Sequence, residues 1–384
     1  VNRFLQNTMV SAKFLWECCL QKISTTRAMR LSSFQGEYSG TTLTGRMKKM
    51  RKLGFIALTG AILATTAGVA EAASTIRVSS WAPPKHGMNS IVWPSWGKCI
   101  ADATGGSVKV KVEYGLAPPP QQPDVVRDGV ADATWMFHGY NPGRYVLTKV
   151  VELPGLGTSA EAASVAYWRI HQKYLAEKNE HKGLKVLALT SHGAGIMHTK
   201  KQINTLADFK GMKIRLGGGV SGAVGKALGL VGVRVPAPKV YETVASGVAD
   251  GVFMPMETKK SFKLKEVAPF SIIMPGGVYY GSFGLVMNPA KFNSLSSSEQ
   301  AAVDACSGET LARAAGVMWD TVDAAGLVDA KAFGNTIVTA SDAMTKEFYS
   351  MVAHIETDWI KDAAKKGINS KAALAELRDI ARSF

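Results

Sequence analysis

Cysteine is nearly absent from this chain. There are four residues, with Cys18 and Cys19 near the start and only Cys99 and Cys306 in the body. Neither of the latter has metal-ligand spacing to a histidine. The histidines are scattered and acidic clusters are lacking, so no metal and no cofactor is expected. Acidic residues are also short, 30 Asp and Glu against 45 Lys and Arg. No dense basic run with interleaved aromatics accompanies that excess, which argues against nucleic acid. Motifs of covalent and metal-assisted catalysis are missing: no Gly-x-Ser-x-Gly elbow, no Ser-x-x-Lys set with partners, no His-Glu-x-x-His helix. The run Gly217 to Gly219 lacks the Gly-x-Gly-x-x-Gly spacing of a dinucleotide site. No apolar run is long enough to anchor the chain in a membrane. The best candidate, Leu53 to Ala70, is short and broken by Gly54, Gly60, Gly68 and several threonines.

That stretch has another reading. Met47 to Lys52 carries Arg51 and three lysines, the span after it is uncharged, and Ala70-Glu71-Ala72 fits small-x-small cleavage. These are the parts of a secretory signal peptide over 47–72, which places the mature protein in the periplasm. Residues 1–46 have no clear pattern and are read as a non-native upstream extension from a reading frame begun too early. Export leaves 35 basic and 27 acidic residues, net +8, a mild field that attracts anions. An exported Cys99–Cys306 pair can form a disulfide. Two separate buried thiols is the reading preferred here.

The length suggests two or three domains, and 46% apolar with 20% charged residues is ordinary globular composition. Strands are expected at Thr75–Ser80, Val108–Val112 and Val130–Phe137. A helix capped by Asn89 is expected to run to about Ala103. Gly129-Val130-Ala131-Asp132 recurs as Gly247-Val248-Ala249-Asp250. Each copy follows a strand, a proline-containing loop and a short helix, and leads into a strand with an aromatic near its end, Phe137 or Phe253. Such alternation builds parallel sheets, and two copies predict two similarly wired lobes. The fold class is therefore α/β and bilobed, of the periplasmic-binding type. Ser191–Gly195 and the strand Phe283–Met287 are read as crossings, giving a hinge near 191–195 and 281–288. A helix over Ala301–Val328 is long enough to span both lobes, and helices near 341–364 and 370–382 finish the chain. The lobes are drawn as 74–192 plus 281–318 and 193–280 plus 319–384.

Between the repeats, Met212–Arg215 reads as a short strand ending in a lone arginine. Gly217, Gly218 and Gly219 follow, then a helix from about Val220 to Leu228. An arginine beside glycines that open a helix is a place to hold an anion. Its planar fork takes a carboxylate bidentately, and the helix amino end is expected to add free N–H groups.

The mature chain resembles the solute-binding proteins of TRAP transporters, the dicarboxylate-binding P-subunit family. The residues that carry the resemblance are Leu206-Ala207-Asp208-Phe209-Lys210-Gly211-Met212-Lys213-Ile214-Arg215, then Leu228-Gly229, Pro236-Ala237-Pro238, Tyr241-Glu242 and Gly247 to Gly251. The resemblance implies a monomeric periplasmic receptor that closes around a small organic acid and delivers it to membrane permease subunits. It implies that Arg215 binds the carboxylate. A frequent asparagine of the family falls on Met254, and an arginine of some members falls near Gly195, so the pocket should be more apolar and aromatic. The ligand expected is a monocarboxylate with an aromatic or branched body. Beside Arg215 the candidate ligand-binding residues are Trp81, His86, Trp135, Phe137, His138, Tyr140, His192, Phe253, Met254, Tyr279 and Tyr280. Glu257 is read as a helix-start carboxylate. The competing readings are a periplasmic enzyme acting on a small carboxylate and a binding protein for a non-carboxylate solute.

Overall fold

The structure, a computed structural model, describes residues 73–384. The signal peptide and the upstream extension lie outside the described residues. Two sheets form. The first has the order β2-β1-β3-β10-β4, from β1 (Ser74–Ser80), β2 (Val108–Tyr114), β3 (Ala133–Phe137), β4 (Lys185–Ser191) and β10 (Ser282–Met287). The second has the order β11-β9-β5-β8-β6-β7, from β5 (Ile196–Thr199), β6 (Lys213–Leu216), β7 (Val231–Arg234), β8 (Gly251–Met254), β9 (Phe270–Ile273) and β11 (Thr336–Thr339). In each sheet a parallel trio, β2-β1-β3 or β7-β6-β8, is extended by an antiparallel strand, β10 beside β3 and β5 beside β8.

The repeated tetrapeptide has a structural cause. Asp132 accepts the Arg77 N–H on its carboxylate at 2.7 Å, while its own N–H donates to the Arg77 carbonyl at 2.8 Å. Asp250 does the same with Lys213, at 2.9 and 2.6 Å. Each aspartate thus locks the third strand of its trio to the first, and pairing of buried backbone groups makes that short motif worth keeping twice.

The chain crosses from one sheet to the other at 192–195, as expected. The return differs from expectation. β10 lies wholly inside the first sheet, so the second crossing is 274–281 and not 281–288. An apolar strand reads the same whether it connects sheets or sits within one.

Asn89 does not cap the helix Trp93–Ala103. Its amide donates to the carbonyls of Ala82 and Pro83, and the first turn is entered through His86, whose Nδ1 accepts the Met88 N–H at 3.2 Å. The preference for separate thiols is also corrected. Cys99 and Cys306 are disulfide-bonded with Cα atoms 5.9 Å apart, and Cys99 is exposed. That bridge sits where the expected single helix divides, between Ser297–Ala305 and Gly308–Ala332. The break lets the Ser307 hydroxyl accept the Trp96 indole N–H at 3.2 Å.

The helix Gly308–Ala332 joins both lobes by close approach. A Cβ at Gly316 would lie 2.5 Å from Glu161 Cα, and one at Gly326 would lie 2.7 Å from Glu257 Cα. Only glycine admits backbone that near. Its carboxylates follow suit. Asp320 accepts the N–H groups of Ala160 and Glu161 at the start of the helix Ala160–Ile170, and Asp323 accepts the Glu257 N–H at 2.7 Å.

Candidate functional site

Arg215 is the penultimate residue of β6 and is 2% exposed. Its Nε donates to the Val235 carbonyl at 2.9 Å, and its Nη2 donates to the Tyr140 hydroxyl at 3.3 Å. No carboxylate oxygen of the described residues comes within 4 Å of it. A buried guanidinium without an acid beside it is costly, and an anionic guest would offset that cost. Tyr140, from the loop after β3, also accepts the Ala237 N–H at 2.8 Å. With two donors on its oxygen, its own proton is free to donate elsewhere.

The guanidinium lines a narrow cavity between the sheets, with about 40 Å³ of space open to a water-sized body. The first lobe contributes Trp81, His86, Phe137, Tyr140 and Phe283; the second contributes Arg215, Gly217, Ala237, Met254, Pro255, Glu257 and Phe262. His192, Tyr279 and Trp319, from the two crossings and the long helix, complete the wall.

The walls are aromatic and mutually packed. Phe137 meets Tyr140 edge-on at 5.0 Å, and Phe283 stacks on Trp319 at 5.7 Å. Tyr279 donates its hydroxyl to the Phe253 carbonyl at 3.1 Å. Its ring lies where a side chain at residue 195 would stand, since a Cβ on Gly195 would come within 2.2 Å of it. The position that the resemblance marks for an arginine is thus occupied by an aromatic ring.

Burial sets the charge state of the polar wall. Burial lowers His86 and His192 to about 4, with Arg215 pushing His192 the same way, so both rings are neutral near pH 7. His86 accepts on Nδ1, which leaves its proton on Nε2, and His192 Nδ1 donates to the Gly193 carbonyl at 2.5 Å. Burial pushes Glu257 up to about 8 and Asp323 up to about 7.

Of the residues singled out by sequence, Trp81, His86, Phe137, Tyr140, His192, Arg215, Met254 and Tyr279 line this cavity. Four others do not. Trp135 lies behind Trp81, stacked at 4.1 Å, with its indole N–H donated to Ser80 Oγ. Period-two spacing puts Trp135 on the same face as Phe137, but Trp81 folds over it. His138 is buried, its Nδ1 against Ser282 Oγ and its Nε2 2.8 Å from His181 Nε2. Phe253 points opposite to Met254 and packs on Phe209. Tyr280 turns away from Tyr279, its hydroxyl donating to the Thr158 carbonyl and accepting the Thr158 N–H.

The first of the expected N–H groups at the helix Val220–Ala227, that of Val220, is not free. Glu152 accepts the Val220 N–H at 2.8 Å, so the protein fills that anion site with its own carboxylate. Sequence reasoning missed Phe262, Phe283 and Trp319 as lining residues. Trp319 sits on an alanine-rich helix with no local motif, and only the fold brings it to the cleft.

Residues 78–362 match the family described as Bacterial extracellular solute-binding protein, family 7. The chain is 32% identical over 304 residues to the outer membrane transporter protein TsaT of Comamonas testosteroni, covering 78% of this chain and 90% of that one. A TRAP periplasmic solute-binding protein from Bordetella bronchiseptica, solved with bound (R)-mandelate and (S)-mandelate, shares 38% identity at a TM-score of 0.79, covering 80% of this chain and 99% of that one. A TRAP solute-binding protein from Rhodoferax ferrireducens, in complex with copurified benzoate, shares 30% identity at a TM-score of 0.76, covering 80% and 98%.

Proposed function

The chain belongs to the extracellular solute-binding proteins of family 7, the receptors of TRAP transporters, and on that premise we propose that it captures an aromatic monocarboxylate through Arg215. Receptors of this family bind small organic acids and deliver them to membrane permease subunits; they do not convert them. The observation that carries the ligand class is the buried, acid-free guanidinium of Arg215 at the wall of an aromatic cavity.

Arg215 and the free Tyr140 proton hold the carboxylate, and exclusion of water strengthens the pairing. Trp81, Phe137, Met254 and Tyr279 cover the apolar body, with Phe262, Phe283 and Trp319. The one fixed cation on the wall favours a monoanion. The mandelate and benzoate found in the two related receptors fit the same description. Residues 74–192 plus 281–318 and 193–280 plus 319–384 are the two bodies that close, about crossings at 192–195 and 274–281.

A thermal-shift screen tests this, because a ligand that binds only the folded state raises its melting temperature by mass action. Benzoate, mandelate and phenylacetate should raise it, and succinate at equal concentration should not. A shift with succinate alone would overturn the assignment.

A further inference from the structure

We propose that Glu257 selects the ligand by a hydroxyl group, so that this receptor prefers hydroxylated aromatic acids over their deoxy counterparts. The inference rests on the reading of Arg215 as the carboxylate anchor and adds a second polar contact on another wall.

Glu257 is 3% exposed and lines the same cavity as Arg215. It is fixed from behind: its N–H donates to Asp323 Oδ1 at 2.7 Å, and Gly326 lets the long helix pack against its Cα. Its Oε2 accepts the Ser261 hydroxyl. Its Oε1 has no hydrogen-bond partner among the described residues and keeps some accessible surface. No cation of the described residues forms a salt bridge with it, Arg215 included.

A buried carboxyl with one vacant oxygen costs free energy unless something meets it. The cavity wall carries aromatic rings and the imidazoles of His86 and His192, and none of its donors hydrogen-bonds Oε1. A ligand therefore has to supply the partner. A hydroxyl suits it in either charge state. It donates to the carboxylate, and it accepts from the carboxylic acid, the form that burial favours near neutral pH. A second ligand carboxylate is a poor match. It would lie against Glu257 with Asp323 behind, while the single permanent cation is already engaged.

The test is calorimetric titration of two matched pairs, mandelate with phenylacetate and 3-hydroxybenzoate with benzoate. Each pair differs by one hydroxyl. The wild type should bind the hydroxy acid of at least one pair about tenfold or more tighter than its counterpart, since a site built around a hydrogen bond rejects a ligand lacking it. Glu257→Leu should bring that ratio close to one. Glu257→Gln, nearly isosteric, should lower it by about threefold, and it carries the test if the leucine variant shows no cooperative thermal transition. Equal affinity within both pairs, or a ratio that survives substitution, would overturn the inference while leaving Arg215 as anchor. Failure of all four acids to bind the wild type would strike the Arg215 reading and this inference together.

Discussion

Asp320 and Asp323, one turn apart on the helix Gly308–Ala332, receive backbone N–H groups from opposite lobes. Asp320 takes those of Ala160 and Glu161, at 2.7 and 2.9 Å; Asp323 takes that of Glu257 at 2.7 Å. The helix is therefore pinned at adjacent turns to two bodies that the cleft separates. Asp320 supplies to Ala160–Ile170 what a capping residue ordinarily supplies from within the chain. Asp320→Ala should cost about 1–2 kcal/mol by urea unfolding. Asp320→Asn, which keeps an acceptor, should cost less. Equal losses would mean that charge, not hydrogen bonding, holds the contact.

Arg215 is the reverse case, a group kept at the expense of stability. Its guanidinium is buried and has only a carbonyl and a phenol for partners. Replacing a buried charge with an apolar side chain of similar length is often neutral or stabilising. Arg215→Met should leave the melting temperature of the ligand-free protein unchanged or higher and abolish the shift produced by aromatic acids. Arg234→Ala, at an exposed position on the neighbouring strand β7, should retain the shift. A loss of ligand response in both would remove Arg215 from its assigned role.

The placement of a buried arginine at the cavity wall was legible because its signals are local: a strand, a lone arginine and glycines in sequence order. So was the two-lobe wiring, since Asp132 and Asp250 repeat one backbone lock within a tetrapeptide. What could not be read is set by distant packing. Trp135 satisfies the period-two pattern of a wall residue, and only the Trp81 ring lying over it removes it from the cavity. The Val220 N–H looks vacant until Glu152 arrives from the other lobe. Phe283 and Trp319 reach the cleft from a strand of the first sheet and from the long helix, whose placement no short window specifies. The two lone cysteines carry no spacing signal either; their pairing depends on two helices meeting.

That pairing closes a long loop, with Cys99 and Cys306 separated by 207 positions in sequence. Cross-linking so distant a pair restricts the unfolded chain strongly, by about 3–5 kcal/mol. The double variant Cys99→Ser, Cys306→Ser should lose that much stability in denaturant titration. Its affinity for ligand should stay near that of the wild type, because neither cysteine lines the cavity. A variant as stable as the wild type would show that the unfolded chain gains nothing from being released.

Stability should also peak in a narrow pH range, and the direction of each limb follows from burial. His86, His171 and His192 are lowered to about 4 and His181 to about 3, and burial holds His138 and His198 well below the ordinary histidine value. As pH falls below 6.5 the unfolded chain takes up protons that the folded chain refuses, so stability drops, by about 1.4 kcal/mol per pH unit for each such group. Glu257 and Asp323 act oppositely. Their folded values, about 8 and about 7, exceed the ordinary carboxylate range, so their contribution is lost as pH rises from about 4 to 8. Between 4 and 6.5 the histidines outnumber these acids; just above 6.5 both acids lower stability, and above about 7 the buried Lys259, lowered to about 7, raises it again toward pH 10.5, which places a local maximum near pH 6.5. The acid limb has a structural focus. Ser282 donates to Glu152, so it accepts from His138 Nδ1, and His138 Nε2 then accepts from His181 Nε2. A proton added to His138 makes both its ring nitrogens donors and breaks this one-way chain, which ends on the Glu152 carboxylate, the acceptor also of the Val220 N–H from the opposite lobe. His181→Phe should therefore flatten the acid limb of melting temperature against pH, and Glu257→Gln should flatten the alkaline one. Wild-type stability that rises steadily from pH 5 to pH 9 would contradict both assignments.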